Sequence, residues 1–185
     1  MRAVQTPLQD PEEFSNLYDR TYLIIYRFIY GMQGGPVEEV EDLTCDTYLR
    51  AWKARHRFSG DEHDALCWLF TIARRLVIDA HRHQKAHLAK SMVNLDDTSF
   101  EALSVPSQET PEEKAAIHEQ ISRLWHILQG LPDDKREMLV LRYLLGWQVK
   151  EIAGYVGKEE NTVSVNIKRT LEQIRQSWSS DQVII

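Results

Sequence analysis

The sequence predicts an all-α protein: two small helical domains joined by a flexible linker, the C-terminal one a four-helix domain with a helix-turn-helix. Three observations carry this. Apolar residues recur at helical spacing along two long stretches, and no stretch reads convincingly as a strand. One helix-start device, Asp10-Pro11-x-Glu13 and Thr110-Pro111-x-Glu113, occurs twice, the second time after a segment without periodicity. Ala153, Gly157 four residues on and Val163 six further follow helix-turn-helix spacing. At 185 residues the chain suffices for one medium domain or two small ones.

Asp10 opens the first helix as its N-cap. Phe14, Leu17, Tyr18, Thr21, Ile25, Phe28, Ile29 and Met32 then follow helical spacing, and "GMQGGP" at 31–36 ends it. A second helix runs from about Val37 to Ala54, with Val40, Leu43, Thr47, Tyr48 and Ala51 on one face. "RFSGDEHDA" is a loop with a Gly–Asp turn signal. The third helix, from about His63 to His87, points Leu66, Leu69, Phe70, Ala73, Val77 and Ala80 inward. These three make a first domain over 1–87. Residues 88–112, rich in Ser, Thr, Asp and Pro, make a linker that could span up to roughly 80 Å if fully extended.

The second domain covers 113–178, with a tail at 179–185. Ala115, His118, Ile121, Trp125 and Leu128 form one stripe that stops at Gly130. "LPDDKREMLVLRYLLG" is a helix ending at Gly146, "QVKEIAGYVG" a short one, and "KEENTVSVNIKR" opens the last. Ala153 is small where two helices cross, Gly157 suits a left-handed reversal, and Val163 returns the chain to the core. Ile152, Val156, Ile167, Leu171 and Ile174 are expected to fill the rest.

Composition sets the function classes. The chain is 43% hydrophobic and 27% charged, an ordinary soluble balance. No apolar run approaches the roughly 18 residues of a membrane span, and the first thirty residues do not read as a signal peptide. Cys45 and Cys67 are too few for a disulfide framework, so a reducing cytoplasm is the expected compartment. The net charge of −6 argues against a nucleic-acid partner until its distribution is considered. Residues 1–87 hold 11 basic against 13 acidic side chains, 88–112 hold 1 against 5, and 113–185 hold 10 against 10. Most of the excess acid therefore sits in the linker. Four basic residues and no acid fall in "RAWKARHR", 50–57, and binding follows local fields rather than totals.

After the turn, Glu160, Asn161, Thr162, Ser164, Val165, Asn166, Lys168 and Arg169 face outward. Asn can pair bidentately with adenine, Thr methyls can touch thymine, and Lys or Arg can hold phosphates. Glu159 and Glu160 suit a helix N-terminus and repel phosphate there. On the second helix Asp42 and Asp46 lie one turn apart, and Leu49 continues that face, which fits either a docking face or a solvated face with Leu49 in the core. On the third, Trp68 and Phe70 precede Arg74, Arg75, Arg82 and Lys85. Aromatics with cations suit single-stranded DNA, although both rings also fit a core. His63 and Cys67 are four apart, and His81, His83 and His87 follow, but these ligands do not converge. Neither a metal site, a cofactor nor a catalytic constellation is expected.

Three motifs in order resemble the bacterial RNA polymerase sigma factors of the sigma-70 family, in their compact extracytoplasmic-function group. "EDLTCDTYLRAW", 41–52, is similar to the family's Asp-Leu-x-Gln-Glu-x-Phe-Leu-x-x-Trp pattern. "WLFTIARRLVIDAHRH", 68–83, is similar to its promoter-melting helix. Residues 131–175 are similar to its C-terminal domain, which reads the minus-thirty-five element. The resemblance implies that Asp42, Leu43, Asp46, Leu49, Arg50 and Trp52 dock on the clamp coiled coil of the core polymerase. It implies minus-ten contacts from Phe58, Ser59, Asp61, His63, Trp68, Arg74, Arg75, Arg82 and Lys85, with the loop Phe58 to Asp64 capturing a flipped base. The eight outward residues of the last helix would then meet promoter duplex.

It further implies a non-catalytic protein, a monomer when free and without membrane insertion, held in check by an anti-sigma factor. Acid on the linker, at Asp96, Asp97, Glu101 and Glu109, would imitate an RNA backbone inside the polymerase or serve as a solubilising spacer. Departures from the pattern are Cys45 for Gln, Arg75 for Asn, Ser164 and Asn166 for basic residues, and Glu159 and Gln148 at helix starts. The competing reading is a helix-turn-helix regulator that binds duplex DNA without polymerase.

Overall fold

The structure, a computed structural model, describes residues 8–88 and 111–180, with side chains over 8–83 and 119–179. The chain divides into two compact units, Met1–Leu95 and Asp96–Ile185. That division falls within the segment expected as a linker. Of the expected linker, residues 89–110 lie outside the described residues, with Asp96, Asp97, Glu101, Glu109 and the Thr110 cap, whereas Leu88, Pro111 and Glu112 are helical. Among the described residues all regular structure is helical, and no helix is long and apolar enough to cross a membrane.

The first unit holds α1 (Pro11–Gln33), α2 (Val37–Ala54), a 3-10 turn at Arg55–Arg57 and α3 (Glu62–Leu88). Local chemistry sets where α1 begins: the Asp10 carboxylate accepts from the Glu12 N–H at 3.0 Å and Pro11 takes the first helical position. At its other end the Gly34 N–H donates to the Tyr30 carbonyl at 2.8 Å. Leu17, Ile25, Phe28, Ile29 and Met32 of α1 are buried with Val40, Tyr48 and Ala51 of α2 and Leu69, Phe70, Ala73 and Val77 of α3. The Phe28 and Phe70 rings meet at 4.7 Å between centroids. Each such large side chain stabilises the unit by about 1.5–3 kcal/mol.

The buried threonine hydroxyls of this unit donate within their own helices. Thr21 donates to the Leu17 carbonyl at 2.6 Å, Thr44 to Val40 at 2.7 Å and Thr47 to Leu43 at 2.8 Å. Thr44 is buried where the sequence pointed to Leu43, which is half-buried. On α3, Ala65 and Leu76 are buried, whereas Leu66 and Ala80 are half-buried. Tyr18, expected on the inner stripe of α1, is 37% exposed. These shifts of one position occur because two partner helices, not one, decide the centre of each stripe.

The second unit holds α4 (Pro111–Gln129), α5 (Asp133–Leu139), a π turn at Val140–Leu144, α6 (Val149–Val156) and α7 (Glu160–Ser180). The sequence predicted one helix through to Gly146. Instead the ladder widens after Leu139, and the Leu145 N–H reaches the Val140 carbonyl at 3.1 Å. Met138, Leu139, Val140 and Leu141 are buried with Ile152, Ala153, Val163 and Ile167. Leu171, expected in this core, is 38% exposed, and Thr170 is buried in its place with its hydroxyl on the Asn166 carbonyl at 2.7 Å. Val156 and Ile174 are half-buried. The thin contact between α5, α6 and α7 leaves room for a narrow stripe only, and Thr170 is nearer its centre.

Arg136 ties this unit together. It is 3% exposed, and its guanidinium donates to the carbonyls of Leu128, Gln129 and Leu131 at 3.0, 3.2 and 3.0 Å. Leu128 and Gln129 end α4, where helical carbonyls lack intrahelical partners, and Leu131 follows in the turn. Burial pulls the Arg136 pKa down and Asp133, 3.5 Å away, pushes it up.

Candidate nucleic-acid and partner surfaces

The buried stripe of α2 is Val40, Thr44, Thr47, Tyr48 and Ala51. Helical spacing puts Asp42, Asp46 and Leu49 on the opposite side, where both acids are exposed and Leu49 is 49% exposed. The choice the sequence left for Leu49 is thereby decided: it is outside the core. Arg50 is exposed beside them. Leu43 and Trp52 differ, since both are half-buried at the edges of the helix. The Trp52 ring meets Phe14 edge-on at 5.1 Å, and the Arg55 guanidinium lies 3.5 Å above it. Arg55 also donates to the Trp52 carbonyl at 2.7 Å. So Trp52 braces α2 against α1, and Arg55 is taken out of the basic cluster that the sequence suggested. His56 and Arg57 remain exposed.

The loop after this turn is held at both ends. Phe58 stacks on Trp68 of α3 with centroids 5.1 Å apart and planes at 29°. Asp61 and Asp64 cap each other: the Asp64 N–H donates to Asp61 Oδ1 at 2.9 Å, and the Asp61 N–H to Asp64 Oδ2 at 3.1 Å. Ser59 stands exposed between the two clamps. Along α3, Trp68, Arg75 and Arg82 recur every seven residues on one stripe, and both arginines are exposed. Arg74 lies to the side and is half-buried; Phe70 is in the core. Lys85 is on α3, but its side chain is outside the described residues. His63 is exposed, with Nε2 3.6 Å from Cys67 Sγ. Burial, followed by Asp64 and Asp61, pushes the Cys67 thiol up.

The helix-turn-helix is built by α6 and α7. Glu151 caps α6 by accepting from the Gln148 N–H at 2.6 Å. Gly157 stands at φ 66°, a left-handed position that a side chain would strain, and its N–H donates to the Ala153 carbonyl. Val163 is fully buried and anchors α7 beneath α6. Asn161, Val165 and Lys168 run along the middle of the exposed face, flanked by Thr162, Ser164 and Arg169. Glu160 is exposed at the first turn. Asn166 is half-buried at the edge, next to the core stripe.

Two family models match this chain: Sigma-70 region 2 over residues 17–87, and Sigma-70, region 4 over residues 121–174. The chain belongs to the sigma-70 family. Among its relatives are three proteins named ECF RNA polymerase sigma factors. BldN of Streptomyces coelicolor is 32% identical over 169 residues, 89% of this chain and 61% of BldN. SigX of Bacillus subtilis is 28% identical, covering 89% of this chain and 83% of SigX. SigL of Mycobacterium tuberculosis is 28% identical, covering 86% and 85%. The fold is shared with CnrH in its complex with the cytosolic domain of CnrY (TM-score 0.64, 21% identity, 95% of this chain and 94% of that one). It is shared also with the sigma factor RpoE from Bartonella quintana, in complex with the anti-sigma factor NepR (TM-score 0.64, 18% identity, 92% and 99%).

This sigma factor is a polymerase-binding protein of promoter-directed transcription initiation, with region 2 on α1–α3 and region 4 on α4–α7. The sequence singled out outward residues on α2, α3 and α7 that the structure leaves exposed or half-buried, but not how the loop at 58–61 is fixed. The Asp-x-x-Asp spacing at 61–64 is the reciprocal-cap signal in the sequence that accounts for it.

Proposed function

We propose that this sigma factor docks on core polymerase through the outer face of α2, traps melted non-template strand at the loop 58–61 and α3, and reads upstream duplex with α7. Domain limits at 1–87 and 113–178, with 88–112 between them, belong to the same reading. One observation carries it furthest. An acidic helix face with a large apolar side chain half in water has no use inside its own unit, and an apolar anchor ringed by charge is what a partner helix takes up.

Trp68, Arg75 and Arg82 supply a strip along which a single strand could lie, stacking on one and charge-paired with the others. Asn161, Val165 and Lys168 supply the major-groove face. Phosphate grip there is weak, because Glu159 and Glu160 stand at the start of the helix. The polymerase tether offsets this: once region 2 is docked, region 4 meets its site at high effective concentration. The chain contributes binding and positioning, and the polymerase contributes the chemistry. A cytoplasmic monomer, inhibited by an anti-sigma protein, completes the proposal.

Purified chain and core polymerase test it. Specific transcripts should appear only with both, and Leu49→Arg should abolish them without unfolding the chain. Tight duplex binding by the chain alone, unchanged by polymerase, would instead establish the independent regulator.

A further inference from the structure

The loop that carries Ser59 is short, exposed at its tip and pinned on both sides. Upstream, the Phe58 N–H donates to the Arg55 carbonyl at 3.2 Å, and the Phe58 ring stacks on Trp68. Downstream, Asp61 is the N-cap of α3, with its carbonyl accepting from the Ala65 N–H at 2.9 Å. Asp64 closes the cap from inside the helix. Gly60 is packed against this cap: a Cβ there would lie 2.6 Å from Asp64 Cβ and 2.7 Å from Asp64 Oδ2. Neither atom could give way without moving α3 or breaking the hydrogen bond to Asp61. Gly60 is therefore required by close approach, and Asp64 is the surface it approaches.

We infer that Asp64 is a positioning residue for promoter-strand capture: with Gly60 it holds the 58–61 loop in one preformed shape, so that Ser59 and the loop backbone meet the flipped base without rearranging. This inference rests on the sigma-factor reading above. Its physical content is preorganisation. A loop fixed before binding does not lose conformational freedom when the base arrives, and it presents one set of donors and acceptors. A loop that adapts can satisfy several bases and discriminates among them poorly. Asp64 touches no DNA in this scheme; it acts through Asp61 and Gly60. Phe58 and Trp68 face each other and form the apolar wall beside the loop.

The test uses the full chain with core polymerase of the source bacterium and a pool of DNA templates randomised across the melted upstream segment. Transcripts are sequenced to give a base preference at each position. Core-polymerase affinity is measured in parallel. Asp64→Ala should flatten the preference at one or two adjacent positions and cut output from the preferred templates about tenfold, the scale of a lost cap, with core affinity unchanged. Asp64→Asn keeps an oxygen for the Asp61 N–H and should restore the preference. Gly60→Ala, which displaces the loop while leaving both carboxylates, should reproduce the Asp64→Ala profile. Unchanged base preference in Asp64→Ala and Gly60→Ala would overturn the inference, as would failure of Asp64→Asn to restore it. Absence of any template preference in the unsubstituted chain with polymerase would instead defeat the sigma-factor reading itself.

Discussion

The two units solve the same problem of joining helices by different means. In the first, three long helices each bury an apolar stripe, and among the described residues its buried polar ones are three threonines and Gln33. In the second, buried apolar residues fall on short runs, and a charged pair of neighbours, Arg136 and Glu137, is buried with them. Glu137 accepts from the Tyr155 hydroxyl at 3.0 Å and so ties α5 to α6, as Arg136 ties α5 to the end of α4. A thin core leaves helix ends and carbonyls near the centre, where they need donors. Long charged side chains reach them. In the first unit the buried end of α1, Tyr30–Gln33, is closed by the Gly34 N–H on the Tyr30 carbonyl and by the Gln33 amide donating to Glu39 at 2.6 Å, without a buried charge.

Substitutions that strike one device should spare the other unit. Phe70→Ala should remove about 4 kcal/mol from the first unit through the cavity it leaves beside Phe28, while urea unfolding of the second is unchanged. Arg136→Ala should cost the second unit about 3 kcal/mol, since three carbonyls and Asp133 lose their partner at once. If both units lost stability together in either variant, the two would not be independent. Tyr155→Phe, read in the same urea titration, should cost about 1 kcal/mol by removing one hydrogen bond to a buried carboxylate.

The finest separation is invisible at neutral pH. Burial raises the phenol pKa of Tyr22, Tyr26, Tyr30 and Tyr48, all in the first unit. A phenol held above its unfolded value near 10 keeps its proton more tightly when folded. Its contribution is full below pH 10 and is lost as pH rises towards the folded values. Between pH 9 and 11 the first unit should therefore lose stability more steeply than the second in thermal melts. Tyr48→Phe should reduce that slope.

Much of the candidate site was legible because helical signals are local. Asp42 and Asp46 share a face by spacing alone, and the outward face of α7 followed from Val163 and Ile167 being inward. The 58–61 loop was harder to read. Phe58 and Trp68 each matched a DNA-contact role, yet they stack on one another, and no local rule says which loop aromatic will find which helix aromatic. Arg55 counted as positive charge in "RAWKARHR" but lies over Trp52, its charge partly spent on a ring and a carbonyl.

What the sequence alone determined is where most helices start, stop and turn, because caps and left-handed glycines act over four residues or fewer: Asp10 and Gly157 are both of this kind. Family membership was legible for the same reason, as three motifs in order. What only the tertiary structure decided is which side chains at the edge of each stripe go in. Thr170 is buried and Leu171 is not; Leu49 stands in water; Arg136 is buried. Adjacent positions on a helix differ by 100° in direction, and an apolar stripe is about that wide. Only the neighbouring helices decide where within that width the core is centred.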